Sequence, residues 1–539
     1  MSGANLLNVA SNSMVLGLFT DQAAILADSL DRFYNAVRII DGEGDGVRPD
    51  GSFMQHNEQL YTGNYGKDYI NSLIHVFVQT RGTELSPPIN VQNVFQVLMD
   101  GTQWMVISNS PNHTILWEYS TIGRMISFAA HDMQASDGVA INLTQIEEGT
   151  ISWDNATFYK QLVHRLTAQG MKRANQGPLI GTRYFFNSDY MVHRGNGFVV
   201  TLKMFSKRTT NAECINNQDP LGFHLSDGAI YTYVRGDEYV DVFGAWDWNL
   251  VPGTTVDYGG TPLICKKTKW RGKEAFVGGV THENFGIAVM NYTNPYTHAL
   301  KWRKTVVFLP EAYVVQMDHI QSENSSAPVR TTLDQCQLHT PIYLDGQKLK
   351  YDLTTKSATQ LWHGNVGYYF PNQVDVIVDS QPRKSNWSQI GISKNGGSET
   401  LFTAAIQQNN TKSTSYIAYP NVGSNDFPPK ASPEIKLIEA SEDIRGVYYT
   451  YRDRVALSLA FWTSGKYTAP DFSVETNRAI VLLLMQASGK WTLTVADPSQ
   501  TLSSVRVRIE SSPKPVKTFD IKLPKGGLAG SRVEKQFHI

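Results

Sequence analysis

Between residues 170 and 180 the hydrophobic periodicity of this chain changes, and that change constrains the fold more than any other feature. Before it, apolar residues recur at helical spacing, as in Leu26, Leu30, Phe33 and Val37, then Val91, Val94, Phe95 and Leu98. A repeat of 3.6 residues puts each set on one helix face. After it come short runs of Val, Ile, Phe, Tyr and Thr broken by Gly, Asn, Asp and Pro, such as Gly197 to Met204, the texture of antiparallel strands. The Pro-, Ser- and Asn-rich stretch from Pro420 to Pro433 reads as a linker, and Val447 to Phe461 and Ala479 to Val495 as strands of a smaller sandwich. The tail after Ser511 predicts one late strand and a frayed end. The expected class is therefore α+β multidomain, with helices over 1–170, antiparallel β over 180–432 and a small β-sandwich over 433–539.

A length of 539 residues exceeds what one hydrophobic core usually supports and fits such a division. The formal net charge of -1 provides no whole-molecule field for nucleic acid, so any site for a polyanion must be a local cluster of Arg and Lys. No apolar run approaches the ~20 residues that cross a bilayer, so no membrane partner is expected. Cys214, Cys265 and Cys336 lack CxxC spacing and allow at most one bridge, with no metal framework. Sequons at Asn112, Asn142, Asn155, Asn291, Asn324, Asn386 and Asn409 permit an extracellular, glycosylated protein but occur at about the chance frequency. The opening Met1-Ser-Gly-Ala-Asn5 has neither a basic nor an apolar signal-peptide region, so the expectation is either no export or a start that is missing.

Two Gly-rich segments, Asp41 to Gly51 and Tyr61 to Gly66, read as loops longer than packed helices need. Asp41-Gly-Glu-Gly-Asp-Gly46 imitates the start of a calcium loop, but Ser52 stands where the bidentate Glu belongs, and a solvated turn is the better account. Asp50-Gly-Ser-Phe-Met-Gln-His56-Asn-Glu-Gln-Leu-Tyr-Thr-Gly-Asn-Tyr65-Gly sets an imidazole and a phenol nine residues apart. On residue type alone, both rings are more often structural.

That segment, with Ser2-Gly-Ala-Asn5, resembles the catalytic region of polysaccharide lyase family 8, which includes hyaluronate, chondroitin AC and xanthan lyases. Lys207-Arg-Thr-Thr-Asn-Ala-Glu213-Cys-Ile-Asn216, Leu225-Ser-Asp-Gly228, and Val251-Pro-Gly-Thr-Thr255 after Trp246-Asp-Trp248 extend the resemblance. It implies a partial (α/α) toroid, a large antiparallel β-sandwich and a small C-terminal β-sandwich. The implied substrate is an acidic polysaccharide, cleaved by a monomer without cofactor or metal. By position, Asn5 and His56 are the implied neutralisers of a uronate carboxylate, and Tyr65 the base and acid. Arg124 is the implied substrate-side arginine, Glu213 the residue that positions the catalytic groups, and Asn216 a further substrate contact.

The chemistry accounts for these residue types. Removing the C5 proton puts a second negative charge beside an ionised carboxylate, so hydrogen bonds must first disperse that charge. A phenol, with a reference pKa of ~10, acts as base only where positive charge or donors favour its ionised form. The same group can then protonate the departing C4 oxygen, leaving a 4,5-unsaturated uronate.

Each residue also has a structural reading: Asn5 as a helix cap, Arg124 as a surface ion pair, Glu213 in a β-turn, and Trp246 and Trp248 as core. The sequence departs from the family at Phe128, where a second arginine is usual, and in having no helices ahead of Ser2. The toroid is therefore expected to be truncated, with apolar faces left uncovered. Two rival readings are a degenerate, binding-only relative and a hydrolase using Asp50 and Glu213 as its carboxylate pair.

Overall fold

A computed structural model of the chain describes residues 2–132, 134, 138–167, 171–175, 177–394, 396–408, 413–429, 434–452, 454–487, 489–511 and 515–538. The domain limits expected at 170 and at 432 and 433, Pro433 at the end of the linker, and the sequon at Asn409 lie outside the described residues.

The helical stripes become helices. Among the described residues, α1 (Gly3–Phe19) packs on α2 (Ala23–Ala36), and α3 (Lys67–Thr80), α4 (Ile89–Thr102), α5 (Leu143–Thr150) and α6 (Ala156–Leu166) follow. Gly17 allows the first contact, since a Cβ there would stand 2.8 Å from the Leu26 backbone nitrogen. Leu30 and Phe33 of α2 and Val91, Phe95 and Leu98 of α4 are buried, as their spacing requires. Phe77, Phe95, Trp153 and Tyr159 form an aromatic centre between α3, α4 and α6, with ring centroids 5.2 to 6.1 Å apart. On α1, Val9, Val15, Leu16, Leu18 and Phe19 are exposed.

Both Gly-rich segments turn out to be structured. The first supplies β1 (Gly46–Val47), which pairs with β2 (Phe53–Gln55), and β2 with β3 (Gln59–Leu60) just beyond it, Gln55 opposite Gln59. The second, Thr62–Gly66, is a π-helical turn that runs directly into α3. Neither fits a period, so neither was visible as an element. The calcium-like loop closes on an arginine, because the buried Arg48 guanidinium donates to the carbonyls of Gly42 and Gly44.

The large β region holds an antiparallel sheet of thirteen described strands, among them Val329–Gln337, Gly396–Gln407, Tyr313–Ser322 and Leu300–Phe308. A four-stranded sheet, Gly181–Phe185, Tyr190–Gly195, Phe198–Lys203 and Ala229–Tyr233, lies between it and the helices and is almost wholly buried. Strands buried on both faces read as continuous apolar runs, which explains the texture at 197–204. Trp246 and Trp248 are core residues, their rings 5.5 Å apart.

The C-terminal unit pairs a six-stranded with a four-stranded sheet around Leu457, Leu482, Leu493 and Val507. Val447–Phe461 and Ala479–Val495 are each a hairpin. The tail holds two strands where one was expected: Lys517–Lys522, and Val533–Phe537 at the edge beside Lys490–Ala496. Cys214 and Cys265 form a disulfide, and Cys336 is a buried free thiol. No helix among the described residues is long and apolar enough to cross a membrane.

Candidate active site

The turn between β2 and β3 carries His56, the π-helical turn carries Tyr65, and a short 3-10 turn, Gly123–Ser127, carries Arg124. Glu213 arrives from the β region, after the four-stranded sheet's third strand. His56 and Arg124, the former 157 residues away, meet at the Glu213 carboxylate, and Tyr65 joins them through Arg124 and the His56 ring. His56 Nδ1 lies 2.9 and 3.1 Å from the two Glu213 oxygens. Arg124 Nη1 donates to Glu213 Oε1 at 2.7 Å and Nη2 to the Tyr65 hydroxyl at 3.1 Å. The His56 and Tyr65 rings are in edge contact, with centroids 4.8 Å apart.

Three further residues complete the cluster. Tyr61 donates to Glu213 Oε1 at 2.6 Å and accepts the Arg124 backbone N–H at 3.0 Å. Gln59 Nε2 donates to Glu213 Oε2 at 3.1 Å, and Gln218 Oε1 accepts from Arg124 Nε at 2.9 Å. The available signal for Tyr61 was its spacing, four residues before Tyr65, which superposes two phenols on one helical turn. Gly123 makes room for it: its φ is 55°, and a Cβ there would lie 2.1 Å from the Tyr61 ring. Only glycine meets both demands.

Electrostatics lock the cluster. Burial pushes the Glu213 carboxyl up, but hydrogen bonds from His56, Tyr61 and Arg124 outweigh it and hold the group at about 2. Burial, then the neighbouring Glu213 charge, raises the Tyr61 phenol well above its usual range, so it stays a donor. Burial works against the Arg124 charge, yet the two phenols and Glu213 more than compensate and raise its pKa. His56 keeps 24% of its side-chain surface exposed and Glu213 none, so the imidazole faces outward from a buried base plate.

Asn5 and Asn216 lie outside this hydrogen-bonded core. Asn5 is an exposed residue inside the first turn of α1, not its cap, which is Ser2. That helix end is tied to the same loop, by Ser2 Oγ to Asp45 at 2.6 Å and the Ala4 N–H to Gln55 at 3.4 Å. Asn216 is an exposed turn residue with a φ of 56°, between Glu213 and Gln218. Arg124 is no surface pair, being 8% exposed. Asp50, the other carboxylate of the hydrolase reading, is buried and spent on the Ser52 and Asn187 backbone N–H groups, at 2.9 and 2.7 Å.

Three family models match the chain in order. They are the N-terminal α-helical domain of polysaccharide lyase family 8 over residues 1–158, its super-sandwich domain over 180–431 and its C-terminal β-sandwich domain over 438–506. The chain belongs to polysaccharide lyase family 8. It is thus a carbon–oxygen lyase acting on polysaccharide, built as a helical domain, a large antiparallel β-sandwich and a small C-terminal β-sandwich. The helical-domain model matches residues 1–158, and the expected truncation of the toroid draws no support from that match. This family 8 lyase is 26% identical to chondroitinase-AC of Pedobacter heparinus, over 99% of its own length and 75% of the relative's. It is 23% identical to a hyaluronate lyase of Enterococcus faecalis, over 94% of its own length and 55% of that enzyme's. A solved chondroitinase AC lyase, studied as oligosaccharide complexes, superposes with a TM-score of 0.89 at 25% identity, covering 99% of this chain and 78% of that one.

Proposed function

We propose that this lyase cleaves a uronic-acid polysaccharide of the hyaluronan, chondroitin or xanthan kind by β-elimination, with Tyr65 as base and then acid. The observation that carries the proposal is the Tyr65 hydroxyl held 3.1 Å from the Arg124 guanidinium while its ring rests on His56. A guanidinium at hydrogen-bond distance stabilises a phenolate and leaves a hydroxyl when the proton returns. As an imidazolium, His56 donates Nδ1–H to Glu213 and has Nε2–H left to donate to the uronate carboxylate. Asn5, exposed on a helix end anchored to the same loop, is the second donor, and Asn216 contacts the sugar beyond.

The electron count closes without water. The C5–H bond breaks, with its proton going to the Tyr65 phenolate and its electron pair forming the C4–C5 double bond. The bond from C4 to the glycosidic oxygen breaks, and that oxygen takes the proton from Tyr65. The Cys214–Cys265 disulfide supports work outside the reducing cytosol, and we infer an extracellular site of action.

Tyr65→Phe tests the reading. With hyaluronan, chondroitin and xanthan as substrates, it should lower kcat by about 1,000-fold while polysaccharide binding persists, as followed by the ultraviolet absorbance of the unsaturated uronate. New reducing ends without that absorbance would mean hydrolysis instead, and unchanged turnover would remove Tyr65 from the reaction.

A further inference from the structure

His56, Asn57 and Glu58 turn the chain from β2 into β3 with φ values of 57°, 67° and 59°. Residues bearing a Cβ are strained in this left-handed region, and three in a row persist only where their surroundings hold them. The holding groups come largely from the β region. Thr210 Oγ1 donates to the Asn57 carbonyl at 2.5 Å and Thr210 N–H to the Glu58 carbonyl at 3.3 Å. Arg271 pairs with the Glu58 carboxylate. Lys269 Nζ donates to the His56 carbonyl at 3.1 Å and to Asn57 Oδ1 at 2.9 Å, and stands 3.9 Å from Glu213 Oε2.

Lys269 is mounted on the piece that carries Glu213. It follows the short helix α7 (Cys265–Thr268), whose Cys265 is bonded to Cys214, the neighbour of Glu213. The next residue, Trp270, donates its N–H to Asn211 Oδ1 at 2.7 Å and accepts the Asn211 N–H at 3.0 Å. Lys269 therefore grips the strained turn from the same frame that presents the carboxylate to the imidazole.

We propose that Lys269 is a positioning residue, whose ammonium holds the His56–Glu58 turn left-handed and so keeps the His56 ring on Glu213 with its outer edge exposed. The inference rests on the reading of His56 as a substrate contact. Without the ammonium, the His56 carbonyl and the Asn57 amide lose a shared donor, Glu213 loses a nearby cation, and the turn relaxes. An arginine at 269 keeps the charge and the donors.

The test compares the full chain with Lys269→Met and Lys269→Arg. Lys269→Met should lower kcat about 10- to 100-fold, with KM moving less than about threefold and Tm by less than about 2 °C. Lys269→Arg should return kcat to within about fivefold of the parent. In histidine-selective nitrogen NMR, the His56 signal, identified by its loss in His56→Ala, should move in Lys269→Met and return in Lys269→Arg. An unmoved His56 signal, a failure of arginine to restore it, or a loss carried by KM would overturn the proposal, the last making Lys269 a direct uronate contact. If the parent cleaves no uronate polymer, the elimination reading falls, and the His56 signal alone still decides the role of Lys269.

Discussion

Glu213 has no exposed side-chain surface, yet it accepts from His56, Gln59, Tyr61 and Arg124. Its carboxyl sits at about 2 against an ordinary 4.5. A depressed acid contributes stability that is complete above the ordinary value and disappears as pH falls toward the folded one, here between about 4.5 and 2. The size is about 3 kcal/mol. Glu213→Gln should therefore flatten the acid limb of the urea-unfolding curve in that window. It should also lower Tm at pH 7, because Arg124 is left buried without its counter-ion. At this scale the sequence carried His56, Tyr65, Arg124 and Glu213, through motifs whose residue types are specific. It carried Tyr61 only through the spacing to Tyr65, and Lys269 not at all, because the partner of that lysine lies 213 positions away.

Among elements, those with a period were legible and those without were not. The stripes of α2 and α4 announced themselves, whereas the glycine-punctuated Thr62–Gly66 turn and the three strands before it, only two or three residues each, are too short for the 3.6 or the 2 repeat to develop. A π turn arises where one extra residue must fit into a helix end, and here it sets Tyr61 and Tyr65 in edge contact, 5.1 Å apart. The disulfide acts at the same level. It joins positions 51 residues apart, one beside Glu213 and one four before Lys269. Closing a span of this length stabilises by about 4 kcal/mol on chain-entropy grounds. Cys214→Ser should lower the urea-unfolding free energy of the oxidised protein by about that amount, and a reductant should do the same to the parent but nothing further to the variant.

In the whole molecule, the C-terminal sandwich docks through an apolar face. Val280, Ile287, Val307 and Val314 meet Val447, Ala460, Trp462 and Leu483. A carboxyl without a cation partner among the described residues sits beside this seam: burial pushes Glu311 up to about 7, with the Tyr449 hydroxyl 3.3 Å away as a partial offset. A raised acid behaves oppositely to Glu213, since stability is lost as pH rises from the ordinary value near 4.5 through about 7. Glu311→Gln should melt about 2 °C higher than the parent at pH 8 and match it at pH 4.5, by calorimetry at both values. The three-part layout was readable from texture because each part has its own periodicity. The seam was not, since a docking face looks like any core.

Gly526 and Gly527 run beside Asp41 and Pro49, and Asn187 Nδ2 donates to the Gly527 carbonyl at 3.0 Å. The loop that leads to the His56 turn is thus braced by residues nearly five hundred positions downstream. Contacts of such sequence separation form late in folding, because their loop-closure entropy must be met before they reward the chain. Refolding experiments should accordingly see tryptophan burial precede the recovery of catalysis.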